Sequence, residues 1–263
     1  MQEVKTLETL VSALGQQVGT LAEKMNLQSD AIIINQGEEN SYQEYEYRGN
    51  HIRGYSFAER GVGLSRNNAL LRGRADILLF SDEDIVYEEG YAGKVLKAFQ
   101  ERPKADMLLF NVEVDAQRAT YHIEKEHRVR FYNSGRYPTY SFAIRREKLH
   151  KANITFSLLF GGGAPYSNGE DSLFLLDCLK KGLKVYALPI NLGREQPRPS
   201  TWFKGYTEKF FFDRGVLYFF LYGRLCHLMA VRFLLAHGKT MCQEISLKKA
   251  YQLMCAGIRE GKA

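Results

Sequence analysis

Cysteine is sparse in this chain and poorly spaced for chemistry. The four residues, Cys178, Cys226, Cys242 and Cys255, form no CxxC pair and sit in apolar, helix-like surroundings. Buried free thiols in a reducing compartment are therefore expected. The six histidines make no HExxH pattern, which leaves zinc hydrolysis without support. No basic segment followed by an apolar stretch and a small-residue cleavage site lies near the N-terminus, so a cytoplasmic location is expected. No uncharged run of 18 residues occurs, which argues against a spanning helix. The positive charge is dispersed and carries no recognised motif, so nucleic acid is not expected as a partner.

What is present is a core-forming chain. Its 263 residues are 45% hydrophobic and 13% aromatic, enough for one large α/β domain with a helical appendage. Global disorder is excluded by that composition. A net charge of +6 and a pI of about 9.0 favour anionic ligands, from nucleotides to acidic lipid headgroups.

The organising stretch is Ala75 to Tyr87, ADILLFSDEDIVY. A short apolar run ending in Asp82, Glu83 and Asp84 reads as a strand buried on both faces of a parallel sheet. Ligands of open α/β sheets bind where such strands end. Asp82 and Asp84 there are suited to share a hard divalent cation, Mg²⁺ or Mn²⁺, with phosphate oxygens and water.

The flanking segments supply the rest of such a sheet. Leu7 to Leu14 reads as a first strand, with a helix as competitor, and Gln16 to Met25 has helical spacing. Ala31 to Asn35 is a β-branched strand, and Glu38 to Arg53 a charged surface excursion with a short hairpin strand. Strand, helix and strand in that order imply a right-handed βαβ unit. A glycine-bearing loop then opens a helix, with Ser65 as cap and Gly73 as stop. Backbone amides around Gly61 and Gly63, with Arg60 or Arg66, are placed to hold ribose or phosphate oxygens.

Further along, Tyr91 to Phe99 is expected as a helix, Asp106 to Val112 as a buried strand, and Glu113 to Tyr140 as strands and loops at the sheet edge. Tyr140 to Ile144 is a strand followed by the helix former RREKLHKA. Gly161 to Gly163 is either a lid or an irregular connection. A helix follows from Asn168-Gly169-Glu170-Asp171 to Lys180, with Leu173, Leu176 and Leu179 on its apolar face, and Val185 to Leu188 closes the sheet.

Beyond Gly193 the character changes. Residues 1–192 are expected to form the catalytic unit and 193–263 a linker with amphipathic helices. On a single helix from Phe210 to Ala236, extended to Lys239, Asp213, Arg214, Arg224, His227, Arg232 and Lys239 fall within an arc of roughly 140°. That pattern suits either a helix lying in an anionic membrane interface or one packed on the domain or on a partner. Trp202 and Lys204, in the linker, either stack on and pair with a ligand or anchor these helices.

The order of segments resembles family 2 glycosyltransferases with the GT-A fold. That family runs a "DDGS"-like turn, a "GLSxARNxGL"-like loop and helix, and a strand ending in "DSDD"; here the three are INQG, GVGLSRNNAL and FSDED. An "ED" pair at a later helix start is matched by Glu170-Asp171. The resemblance implies a Rossmann-like, mostly parallel sheet flanked by helices, with a C-terminal amphipathic helical extension. It also implies transfer from a nucleotide-diphosphate sugar to a glycan or lipid-linked acceptor, with inversion, in cell-surface polysaccharide synthesis at the inner face of the membrane.

Residue by residue, the resemblance makes Asp171 the base and Glu170 its positioning neighbour. Asp84 becomes the principal metal ligand, with Asp82 also a ligand and nearer the ribose. Asn35, Gln36, Gly61, Gly63, Arg66, Asn67, Ser81 and Glu83 fall on the donor side. The chain departs from the pattern twice: the acidic turn is Asn35-Gln36, and the metal motif begins with Ser81. Two other readings compete. One is an NAD(P)-binding oxidoreductase built on Gly61-x-Gly63 and Asp82, with Arg66 against it at the third glycine position. The other is a non-catalytic membrane- or partner-binding module.

Overall fold

The computed structural model describes residues 6–115, 121–196 and 205–262. Strands β1 (Leu7–Leu14) and β2 (Asp30–Gln36) flank helix α1 (Val18–Lys24), as the βαβ reading requires. The charged segment that follows is no mere surface excursion. It is a hairpin of β3 (Ser41–Tyr47) and β4 (Asn50–Phe57), and β4 pairs parallel with β2 along its length. Ile52, Arg53 and Gly54 of β4 are buried; the Arg53 guanidinium meets the buried Glu8 carboxylate of β1 at 2.6 Å, which is how a charged strand enters the sheet.

Helix α2 (Val62–Arg72) leads back to β5 (Ile77–Asp82), which lies on the other side of β1. After β5 come β6 (Ile85–Tyr87), α3 (Tyr91–Glu101) and β7 (Met107–Glu113). Among the described residues, the middle segment expected as edge strands contributes β8 (His127–Arg128), paired with the last strand, and two short 3₁₀ turns. Then follow β9 (Phe142–Arg145), α4 (Arg146–Ala152), α5 (Glu170–Lys180) and β10 (Val185–Glu195), which continues past Leu192.

The sheet runs β3-β4-β2-β1-β5-β9-β7-β10-β6, with β3, β9 and β6 antiparallel to their neighbours. Alternate residues of each strand feed opposite faces. Val11, Ile33, Ile77 and Leu79 meet α1 and α3, whereas Leu10, Ile34, Leu78 and Phe80 meet α2, α4 and α5. On α5 the core contacts are Phe174, Leu175 and Cys178; of the expected Leu173, Leu176 and Leu179 face, Leu173 turns instead toward the C-terminal helices. The chain steps from β1 to β2 to β4 and then returns to β5 on the opposite flank of β1. The strand order thus reverses between β1 and β5, which is where an open α/β sheet leaves a crevice.

The C-terminal helices are α6 (Glu208–Tyr222), α7 (Cys226–Met241) and α8 (Leu247–Glu260), with a core of their own around Phe211, Ala230, Met254 and Ile258. Gly215 and Gly257 let α6 and α8 touch: a Cβ on either would overlap a backbone carbonyl of the other helix. The single helix expected from Phe210 to Ala236 is broken at Gly223, whose φ of 51° few side chains tolerate. Taken through that break, Glu208–Met241 is long and apolar enough to cross a membrane by length and composition, but α6 is occupied by α8 and by the loop before α5. The expected basic arc does not survive the break either. Asp213 is 1% exposed, and Arg214 lies over the Phe210 and Phe233 rings.

Candidate active site

The site gathers where β5 ends. Ser81 and Asp82 finish the strand, Glu83 and Asp84 turn the chain, and β6 carries it away. Asp82 stands opposite Ser12 of β1, so its carboxylate lies at the crevice. Glu83 is engaged elsewhere: its Oε2 accepts from the Leu14 amide at 2.8 Å, tying the turn to the end of β1. Ser81 is buried, and its hydroxyl donates to the Asp82 carbonyl.

Arg66 joins three segments that are distant in sequence. Its side chain is 6% exposed; Nη2 lies 3.1 Å from Asp82 Oδ1, Nη1 lies 2.9 Å from Glu170 Oε1, and the guanidinium covers the Phe156 ring. Burial works against its charge, but Asp82 and Glu170 outweigh burial and hold its pKa above the usual value. An always-charged, planar fork suits a position between two carboxylates better than a lysine would.

Asp171 follows Glu170 in the first turn of α5. Burial pushes its carboxyl up to about 7, with the Glu170 charge adding to the rise; the Ser172 amide, at 2.6 Å from Oδ1, and Arg66 offset only part. The residue keeps some surface, yet desolvation dominates its titration. A helix start alone predicts a depressed carboxylate. Here desolvation beside a like charge wins over the dipole.

The glycine loop is built for packing. Gly61, at φ 131°, caps α2, and its amide donates to Gln36 Oε1 at 2.7 Å. Ser65, expected as the cap, lies one turn inside the helix, buried, with its hydroxyl on Ser12 Oγ and the Ile34 carbonyl. A Cβ on Gly63 would overlap the Ser157 carbonyl oxygen, so this glycine brings α2 against the 154–160 segment. That contact removes the open backbone face an oxidoreductase reading needs at Gly63. Asn67 clamps the same segment, donating to the Phe156 carbonyl at 2.9 Å and accepting from its amide at 2.7 Å. Asn35 is buried on the Gln16 backbone and Ser56.

The structure thus brings Arg66, Asp82, Glu170 and Asp171 together, with Asp84 two residues from Asp82 and 8% exposed. Asn35, Gln36, Gly61, Gly63, Asn67 and Glu83 form the frame around them. Trp202 and Lys204 lie outside the described residues. For a divalent ion, Asp82 offers a carboxylate 29% exposed, with one oxygen on Arg66. Among the described residues no group of three or more His, Cys, Asp or Glu side chains gathers into a metal cluster. Two carboxylates fit a hard cation that draws its remaining ligands from phosphate and water.

Two features escaped the sequence. Phe156, under Arg66, stacks on Phe174 at 4.0 Å and an interplanar angle of 5°, and nothing in its spacing marks it. Asp213, assigned to a solvent face, is buried against the loop before α5; its i,i+4 partner Lys209 was the available signal.

Comparison with known proteins follows the same lines. A family model described as glycosyl transferase family 2 matches residues 2–167. Among solved structures, S. aureus TarS 1-349 aligns with a TM-score of 0.63 at 11% identity, covering 96% of this chain and 79% of that one. Its complex with UDP-GlcNAc aligns at 0.64 and 13%, covering 96% and 79%. Its complex with UDP aligns at 0.62 and 12%, covering 97% and 82%. At these identities the likeness is one of fold. No curated protein matches.

Proposed function

The chain belongs to glycosyl transferase family 2, and we propose that its site transfers a sugar from a nucleoside-diphosphate sugar to a hydroxyl of a glycan or lipid-linked acceptor, with inversion. The observation that carries this reading is the Arg66 bridge, which holds the acid ending β5 and the acid pair opening α5 around one crevice. UDP-GlcNAc and UDP, bound by the similar TarS fold, make a uridine nucleotide the first donor to test.

Asp171 serves as the base. Its carboxylate takes the proton of the acceptor hydroxyl while that oxygen attacks the anomeric carbon from the face opposite the diphosphate. The bond between that carbon and the diphosphate oxygen breaks, and the nucleoside diphosphate leaves. A pKa near 7 suits the task, because a substantial share of the base is then ionised at neutral pH while it remains strong enough to accept a proton. Glu170 raises that pKa and anchors Arg66. Asp82 and Asp84 would hold Mg²⁺ or Mn²⁺, which when bound neutralises charge on the departing diphosphate. Asn35, Gln36, Gly61, Asn67, Ser81 and Glu83 support the donor side by fixing its backbone.

The same reading puts residues 1–192 to catalysis and the helices after 193 to location, peripheral on the cytoplasmic face of a cell membrane. An anionic bilayer is supported by charge and exposure: from Arg214 to Gln243 the sequence has no Asp or Glu, and Leu225, Leu228, Val231 and Leu235 are exposed. Calorimetry with UDP, with Mn²⁺ and with a chelator, tests the donor site. Binding that requires the metal and disappears in Asp84→Asn is expected; equal binding in chelator would remove the metal from the proposal.

A further inference from the structure

The loop 160–169 leads directly into the acid pair, and it is held from two sides. On one side Val62 of α2 donates its amide to the Gly162 carbonyl at 2.8 Å, and a Cβ on Gly161 would press on Val62 and the Glu170 carboxylate. On the other side lies α6, which follows the catalytic sheet in sequence and is outside the family match. Asp213 of α6 accepts from the Ser167 amide at 2.9 Å and from the Ser167 hydroxyl at 2.8 Å. Lys209, one turn earlier, meets both Asp213 oxygens at 2.8 and 2.6 Å and also donates to the Pro165 carbonyl at 2.8 Å. Leu217, a turn later, fills the space a side chain on Gly169 would need, and Val216 and Leu217 pack on Phe160.

Asp213 is buried but its partner Lys209 is 62% exposed, and a pair open to solvent on one side adds little stability of its own. Its directional bonds do something apolar contacts cannot: they fix a backbone position. Ser167 lies four residues before Asp171, with only the Gly169 cap and the first residue of α5 between Asn168 and Asp171. We propose that Asp213 is a positioning residue of the active site, holding Ser167 and so fixing the aim and the burial of Asp171 from a helix outside the catalytic sheet. The inference rests on the assignment of Asp171 as base, but its test does not need the donor or the acceptor.

The test follows the Asp171 carboxyl directly by carbon NMR of aspartate-labelled protein, with Asp171→Asn assigning the signal. Asp213→Asn keeps the size of the side chain and removes the charge. The amide oxygen of asparagine can still accept from Ser167, but without the charge those bonds and the Lys209 tie weaken; the loop loosens, water reaches Asp171 and its titration midpoint falls by about one pH unit. The groups facing Asp171, Glu170 and Ser172 on its own helix and Arg66 from α2, are unchanged in the variant. Val216→Ala is the control, because it loosens the same contact without touching the hydrogen bonds. Asp213→Asn should move the midpoint well beyond Val216→Ala at a comparable fall in Tm. Equal movement in the two, or none in Asp213→Asn, overturns the proposal. If Asp213→Asn does not fold, Ser167→Ala loses only the hydroxyl bond and should shift the midpoint in the same direction by about half as much; an unmoved midpoint there overturns it equally. A parent protein inactive on UDP-sugars would sink the functional reading while leaving this titration valid.

Discussion

Two desolvated carboxylates, Asp213 buried and Asp171 partly so, lie on either side of the loop 160–169, and the protein treats them in opposite ways. Asp213, in the middle of α6, is surrounded by donors: two from Ser167 and an ammonium from Lys209. Asp171, at the start of α5, has one close amide and a second carboxylate as neighbour, so burial drives its pKa to about 7. A carboxylate that the fold fully satisfies belongs to the structure's own positioning. One left poorly satisfied in a crevice is held there against stability, and groups of that kind concentrate where chemistry is done.

The strongest way to break the contrast is Asp171→Asn. Asparagine caps and hydrogen-bonds much as aspartate does, so the fold should persist. Transfer should fall by about a thousandfold or more, roughly 4 kcal/mol in barrier, while UDP affinity stays near that of the parent. Stability should change with pH in a defined sense. The folded pKa, about 7, is raised above the ordinary aspartate value of 3.8, so folding binds a proton at Asp171. The associated stability is fully present below the unfolded pKa and is lost as pH rises through about 7. Asparagine never incurs that loss. The variant should therefore melt above the parent at pH 8, by on the order of 1 to 3 kcal/mol, and the gap should shrink toward pH 4. Denaturant melts across that range check it; a variant less stable than the parent at pH 8 would mean that the ionised Asp171 carboxylate stabilises the fold, which is the reverse of the expectation.

Arg66→Met sharpens the contrast by removing the one cation that ties the site together. Asp82 and Glu170 would then face each other without a partner, and stability should fall by roughly 3 kcal/mol. Arg66→Lys should recover only part, because one ammonium cannot span both carboxylates as the guanidinium fork does. Urea unfolding at pH 8 measures both, and a loss in Arg66→Met below about 1 kcal/mol would mean that the bridge adds little to the folded state.

The two regions also differ in how far their sequence could be read. In the sheet, most strands are short, apolar and bounded by turns, so β2, β5 and β7 were legible almost to the residue, and β1 in its bounds though with a helix as competitor. The motif spacing brought Arg66, Asp82, Glu170 and Asp171 to notice as well. β4 was not legible, because Arg53 interrupts its pattern and only the partner Glu8, distant in sequence, explains why it is buried. In the helices the reading depended on one continuous 3.6-residue frame, and Gly223 resets that frame. Asp213 was lost there, since a helical wheel places a charge outside unless its partner on another element is known. Burial at Asp171 was missed for the same reason: desolvation is a property of the packed state.

The smallest expected effect lies on α7, where the contrast between compensated and uncompensated groups reappears as apolar exposure. Leu235 is 81% exposed and Leu228 64%, and a groove of about 270 Å³ opens between α7 and α8, lined by Val231, Leu234, Leu235, Leu247, Lys248 and Tyr251. Arg224, Arg232 and Lys239 are exposed around these leucines, while α7 itself carries no acid. An interface that takes up leucines among phospholipid headgroups while meeting bases with anionic lipid fits both features. Sedimentation with vesicles should show binding to anionic lipid at low salt and little to neutral lipid, weakened by salt as exposed charges are screened. Leu235→Asp removes apolar contact and adds a repelled charge, so affinity should drop about tenfold, near 1.4 kcal/mol, with no change in UDP binding because the residue lies on the helices and not on the Arg66 bridge. Equal sedimentation with neutral and anionic vesicles, or an unaltered Leu235→Asp, would leave the exposed leucines to a protein partner, and a concentration-dependent mass in solution would then identify a second copy of the chain as that partner.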